Sequence, residues 1–221
     1  MAMNFEQARL NMVENQVRPW EVLDARVLDV ISRVHREDFV DAAHCQLAFA
    51  DLCLPLGHGE VMMKPVVEGR VLQALALQPT DQVLEIGTGS GFLTACMATL
   101  SAQVTSLDIH ADFIAAATKR LLAAGIANAT LITGEAVNAW QPQGLFDALV
   151  VTGAVSEIPA RWLSWLQPGG RALIVHGQSP VQHATLLIHE HEGAGRYREE
   201  VLFETDLPYL THAEPPQRFV F

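Results

Sequence analysis

The sequence predicts an α/β protein built on a doubly wound, mostly parallel sheet, and three observations predict it. From residue 65 onward, apolar segments of strand length alternate with helical patterns. The run Val83–Gly91 (VLEIGTGSG) reads as a buried strand that breaks into a glycine-rich turn, after which Phe92, Leu93 and Met97 resume at helical spacing. A second apolar segment, Val104–Leu107, closes on a carboxylate, Asp108. Open sheets of this kind bind ligands at the C-terminal ends of their strands, so the turn and the carboxylate mark one edge.

The elements follow in order. Phe5, Met12, Val13 and Val17 recur at helical spacing up to Pro19, and Leu23, Val27, Val30, Ile31 and Val34 form a second stripe. Together they are expected to act as a helical cap covering the substrate cleft. Residues 1–64 are accordingly read as cap and substrate loop, and residues 65–221 as the cofactor domain, the two forming one compact unit. Pro65 opens a helix over Val66–Leu77, because a first-turn proline forgoes no helical hydrogen bond. After Asp108 comes a helix over Asp112–Ala124 that stops at Gly125, as a left-handed cap would. The strand Ala129–Thr133 ends at Gly134-Glu135-Ala136, and the strand Ala148–Thr152 precedes a helix near Ile158–Leu166 whose Trp162 and Trp165 are expected in the core. A strand over Ala172–His176 follows, and His183–His189 with Tyr197–Phe203, flanking Gly193 and Gly195, reads as an antiparallel hairpin on the sheet edge.

Composition narrows the function. With 221 residues, half of them hydrophobic, one domain with a substantial core is expected. No apolar run reaches membrane-spanning length and no cleavable signal is seen, so a soluble, cytoplasmic protein is expected. A net charge of −11, from 14 basic and 25 acidic residues, argues against a nucleic-acid partner. Cys45, Cys53 and Cys96 lack metal-binding or redox spacing and read as buried thiols, so no metal is implied. His189-Glu190-His191 puts two imidazoles on one face of a strand, but without a third ligand a solvent-facing polar row is the simpler reading. His58 and His176 are expected near the cofactor mouth. Oligomeric state stays open, with a monomer favoured.

The spacing of the glycines selects among cofactors. The dinucleotide fingerprint needs a glycine where this chain has Phe92, and a phosphate-binding P-loop needs a Gly-Lys-Ser/Thr that is absent. What remains is Gly87-x-Gly89-x-Gly91 with Glu85 two residues ahead. That form resembles motif I of the S-adenosylmethionine-dependent methyltransferases, against the plainer reading of an ordinary strand-to-helix turn. The resemblance implies a cofactor site formed by Glu85, Gly87, Thr88, Gly89, Ser90 and Gly91, with Asp108 and Ile109 at the ribose and Glu135 and Ala136 at the adenine. The family usually carries Asp-Gly at this last place.

Further motifs are similar to one branch, the protein-L-isoaspartate O-methyltransferases. Val34-His35-Arg36-Glu37-Asp38-Phe39-Val40 resembles that family's Val-x-Arg-Glu-x-Phe-Val, and Leu54-Pro55-Leu56-Gly57-His58-Gly59 its Leu-Pro-Ile-Gly-x-Gly. Val150–Ala154, Glu157-Ile158-Pro159 and Leu166–Gly170 match later family motifs in the same order, and Leu207–Leu210 loosely resembles its ending. The resemblance implies a Rossmann-like class I methyltransferase fold, S-adenosylmethionine as methyl donor, S-adenosylhomocysteine as product, and a protein or peptide carboxylate as acceptor. A small-molecule acceptor, or a cofactor-binding protein without transfer activity, are the alternatives.

One segment departs from the family. After Gly59 the family has Gln-Thr-Ile-Ser-Gln-Pro, whose hydroxyls line the place where methyl and acceptor meet; here the chain reads Glu60-Val61-Met62-Met63-Lys64-Pro65. Val61 and Met63 offer no donor to an incoming carboxylate, and burying one without partners is costly. A more apolar acceptor is one consequence; Met63 simply packing the loop is another. Lys64, one of two lysines, either supplies a charge there or is solvated. Together with His58 these residues form the expected substrate loop, while catalytic residues stay unassigned, because an ionised carboxylate needs no general base for in-line methyl transfer.

Overall fold

Strands buried on both faces build the centre of the sheet. In the computed structural model, which describes residues 3–190 and 196–216, strand β3 (Gln82–Ile86) directs Val83 to one face and Leu84 and Ile86 to the other. It pairs in parallel with β4 (Gln103–Asp108) on one side and β6 (Phe146–Val155) on the other. Strand β5 (Ala129–Thr133) extends the parallel sheet beyond β4, and β7 (Leu166–Gln178) extends it beyond β6. Antiparallel β8 (Val181–His189) and β9 (Tyr197–Thr205) complete seven strands in the order β5-β4-β3-β6-β7-β8-β9. The expected edge hairpin is therefore present; its turn glycines, Gly193 and Gly195, and His191 lie outside the described residues.

The two faces are covered unequally. One carries α1 (Phe5–Met12), α2 (Ala25–Arg33), α3 (Pro65–Leu75), α4 (Phe92–Leu100) and part of α5 (Ala111–Ala123). The other is covered by the one-turn α6 (Ala160–Leu163) and by Trp140, Trp162 and Trp165. The helix expected near Ile158–Leu166 is thus a single turn, because Trp165 and Leu166 already feed β7: the Trp165 carbonyl accepts from the Phe146 amide at 2.8 Å, and Leu166 pairs with Phe146. Helix α3 ends two residues earlier than expected, at Ala76 in the left-handed region, and Gly125 follows α5 with φ of +74°. Cys96 is buried as expected, whereas Cys45 and Cys53 are half-exposed.

The N-terminal helices belong to the core. Met12, Val17, Val27 and Ile31 join one apolar cluster with Val66, Leu72 and Met97, so hydrophobic burial runs unbroken across the 64/65 boundary. A small hairpin, β1 (Leu54–Gly57) and β2 (Glu60–Met62), rises from this cluster over the C-terminal edge of the sheet.

Candidate functional site

The site starts at the glycine turn. The amides of Gly87 and Thr88 both donate to the Leu107 carbonyl, at 2.7 and 3.1 Å, tying the end of β3 to the end of β4. Gly87 has φ of +96°, and a Cβ there would fall on the hydroxyl of Thr152, which donates to the Gly87 carbonyl at 2.6 Å. Both the dihedral and the close approach therefore require glycine. Gly91 caps α4 with φ of +85°, its absent Cβ leaving room for Ala117 of α5; it shapes the turn without lining a cavity.

Two connected chambers lie over the turn. The outer one, of about 600 Å³, has Gly89, Asp108, Ile109, Glu135 and Ala136 among its lining residues. The inner one, of about 280 Å³, sits between the turn and the β1–β2 hairpin and is lined by Glu85, Thr88, Ser90, Met62 and Met63. Leu56, Val61, Gly87, Gly89 and Thr152 line both chambers and form the neck between them.

Asp108 is buried, with one carboxylate oxygen accepting from the Gly89 amide at 2.8 Å and the other from the His110 amide at 2.9 Å. Each oxygen keeps a lone pair for a further donor. Glu85 is fully buried: one oxygen accepts from the hydroxyls of Thr94 and Ser106, the other has no partner, and burial pushes the carboxyl up to about 8. A relay continues from Ser106 to Thr88, whose hydroxyls lie 2.6 Å apart. Ser90 accepts from the Phe92 amide and steadies the start of α4. Glu135 lines the outer chamber, but its carboxylate is engaged by the amides of Val137, Asn138 and Ala139 within its own loop. That loop is held by Trp162, whose indole N–H donates to the Ala136 carbonyl at 3.0 Å.

The roof is anchored from beneath. Arg36, with no solvent exposure, donates to the carbonyls of Met63 (2.7 Å) and Ala48 (2.8 Å), pairs with Glu68, and lies over the Phe92 ring. Burial pushes the Glu68 carboxyl up to about 7 against the pull of that guanidinium. Half-buried Glu60 faces the outer chamber, its carboxyl raised by burial and then by the nearby charge of Asp108.

Not every expected residue reaches the site. Lys64 is exposed at the start of α3 and lines neither chamber. His58 occupies the hairpin turn at the lip rather than the lining. His176 is displaced from the expected mouth: it sits on the β7–β8–β9 ladder, 3.0 Å from the Thr185 hydroxyl and 3.9 Å from Glu199. His189 stacks on Tyr197 and contacts the Gln167 carbonyl at 3.0 Å. Among the described residues, none before Leu56 lines either chamber, so the roof is the hairpin and the helices expected as a cap lie in the core. Thr152, Phe113, Leu210 and Thr211 are lining residues that sequence reasoning missed. The C-terminal segment reaches the cleft by hydrogen-bonding along Ala154, and its only sequence signal was the loose match at Leu207–Leu210.

A parallel sheet with a glycine turn and a carboxylate at adjacent strand ends, extended by an antiparallel pair, defines a Rossmann-like methyltransferase fold. The chain belongs to the protein-L-isoaspartate(D-aspartate) O-methyltransferase (PCMT) family, whose sequence profile matches residues 7–205. It is 37% identical over 175 residues to the protein-L-isoaspartate O-methyltransferase of Ectopseudomonas mendocina (strain ymp), covering 79% of this chain and 83% of that protein. The Cronobacter sakazakii (strain ATCC BAA-894) protein of the same name is 40% identical over 162 residues, 73% of this chain and 78% of its own. The fold matches that of a Plasmodium falciparum chain described as a protein-L-isoaspartate O-methyltransferase beta-aspartate methyltransferase, crystallised with S-adenosyl-L-homocysteine. The TM-score is 0.79 at 21% identity, over 95% of this chain and 99% of that one.

Proposed function

We propose that this chain transfers a methyl group from S-adenosylmethionine to a protein carboxylate of the isoaspartyl type, the reaction its relatives are named for. The observation that carries the cofactor reading is the bare backbone at Gly87 and Gly89 beside Asp108, at the neck of two chambers. The chambers suit the group. Asp108 has lone pairs for two ribose hydroxyls, Ile109 and Ala136 offer apolar faces to an adenine, and the unpartnered oxygen of Glu85 suits an ammonium group. When bound, the cofactor supplies an electrophilic methyl on a cationic sulfur.

The protein's own contribution is placement and exclusion of water. An acceptor carboxylate is already ionised at neutral pH, so no residue need remove a proton. Apolar Leu56, Val61 and Leu93 around the neck and inner chamber strip solvent from a nucleophile, and the backbone turn fixes its distance to the methyl.

The roof favours a second acceptor reading. Thr152 is the one hydroxyl at the neck, and it is occupied by the Gly87 carbonyl. An acceptor carboxylate meeting Val61 there gains no side-chain donor, which suits a small or less polar acceptor better. Incubation with labelled cofactor and an isoaspartyl peptide separates the two. Robust methyl ester formation supports the family reaction. Turnover only with metabolite extracts supports the second reading, and cofactor binding without any turnover refutes both.

A further inference from the structure

We propose that His58, His110 and Asp112 form a binding site for a divalent d-block cation of the zinc type at the lip of the outer chamber. One ligand atom from each of the three residues lies within 4.8 Å of those of the other two. Imidazole and carboxylate are the donors such ions prefer, and ligand atoms about 2.0–2.2 Å from zinc stand roughly 3.3–3.5 Å apart in a tetrahedral site. His58 and Asp112 are already closer than that, with Nε2 and Oδ2 3.0 Å apart. The His58 and His110 rings stack, with centroids 4.0 Å apart and planes 7° from parallel, so ligation requires His110 to turn out of the stack until its in-plane lone pair meets the other two ligands.

Two further observations support a ligand here. First, the buried Nε2 of His110 has no hydrogen-bond partner, and although His110 stands at the cap position of α5 its side chain makes no capping bond. A buried polar atom left without a partner calls for one. Second, Phe113 packs its ring edge-on against both, at 5.3 and 5.1 Å, keeping the two imidazoles together at the lip.

The site joins the two sides of the cleft. His58 sits in the turn of the β1–β2 roof, and His110 and Asp112 sit where β4 passes into α5 on the floor. An ion bound to all three staples roof to floor beside the outer chamber. Glu60 and Asp108, both facing that chamber, add negative charge nearby. None of this depends on which acceptor the enzyme uses.

Calorimetric titration of the chelator-treated full-length protein with zinc chloride tests the proposal. The expected result is one saturable site per chain, lost in His58→Ala and weakened about tenfold or more in Asp112→Asn, with circular dichroism showing the fold retained. His176→Ala, on the distant ladder, is expected to bind zinc as the parent does. No saturable zinc binding by the parent, or equal binding by the parent and His58→Ala, would overturn the site. A second measurement is the release rate of S-adenosylhomocysteine: zinc should slow it in the parent and leave His58→Ala unaffected.

Discussion

The floor and the roof of the cleft are built on different terms. The floor, from Gly87 to Gly91 and at Asp108, consists of strand ends held by backbone hydrogen bonds. The roof, from Leu54 to Met63, is a short hairpin held by a few side chains: Arg36 from beneath, and His58 against Asp112 at the lip. Val61 and Met63 there carry no hydroxyl. The contrast teaches that a turn at strand ends is fixed by backbone geometry, which leaves little choice of residue, whereas a hairpin held by a few side chains is freer to change.

Five experiments press on that contrast, taken from the largest expected effect to the smallest. Arg36→Met leaves Glu68 buried without its partner and the Met63 carbonyl without a donor. A stability loss of about 3–5 kcal/mol in urea denaturation is expected, because a buried charge loses its counter-ion. Adding Glu68→Met should recover much of the stability without restoring the roof. A loss below about 1 kcal/mol from the single change would mean that the roof does not depend on this anchor.

Next comes the pH dependence of the ligand-free protein. Glu85 is raised by burial from 4.5 to about 8, so the folded chain keeps a proton that the unfolded chain releases. Stability is therefore highest below the unfolded value and falls as pH rises through the window from about 4.5 to 8, by a few kcal/mol at most. Thermal melts across that range should show the decline, and Glu85→Gln should flatten it in part, Glu68 remaining with its own raised value.

Gly87→Ala forces a Cβ onto Thr152 and an unfavourable dihedral onto alanine. Together these cost about 2–4 kcal/mol, or roughly 100-fold in calorimetric affinity for S-adenosylhomocysteine. Adding Thr152→Ala clears the clash but not the dihedral, so only part should return. Asp108→Ala should weaken the same affinity by about 10- to 100-fold, the worth of hydrogen bonds to a charged group. Cofactor affinity unchanged by both would detach the floor from cofactor binding.

The smallest effect concerns the roof. Introducing hydroxyls in Val61→Thr with Met63→Ser should raise kcat/KM on an isoaspartyl peptide about five- to tenfold, the worth of roughly one hydrogen bond, and leave cofactor affinity unchanged. If the parent already turns the peptide over at the double variant's rate, the roof does not set the acceptor.

The sequence by itself determined the elements whose signals are local. Apolar runs of strand length gave β3, β4 and β5 within a residue or two, glycine spacing gave the turn, and a carboxylate at a strand end gave Asp108, because each depends on neighbours a few residues apart. The lack of hydroxyls at Val61 and Met63 was equally legible, since it shows in the residue type itself. Only the tertiary structure decided what depends on distant pairings. Whether the N-terminal helices cover the cleft or fill the core turned on their packing against α3 and α4, which an amphipathic stripe does not specify. Thr152 became the guard of Gly87, and Leu210 a wall of the outer chamber, by contacts across dozens of residues. His58 met His110 and Asp112 by the same route, more than fifty positions apart in the chain. Periodicity reports which face of an element is apolar; what that face meets is settled by how the whole chain packs.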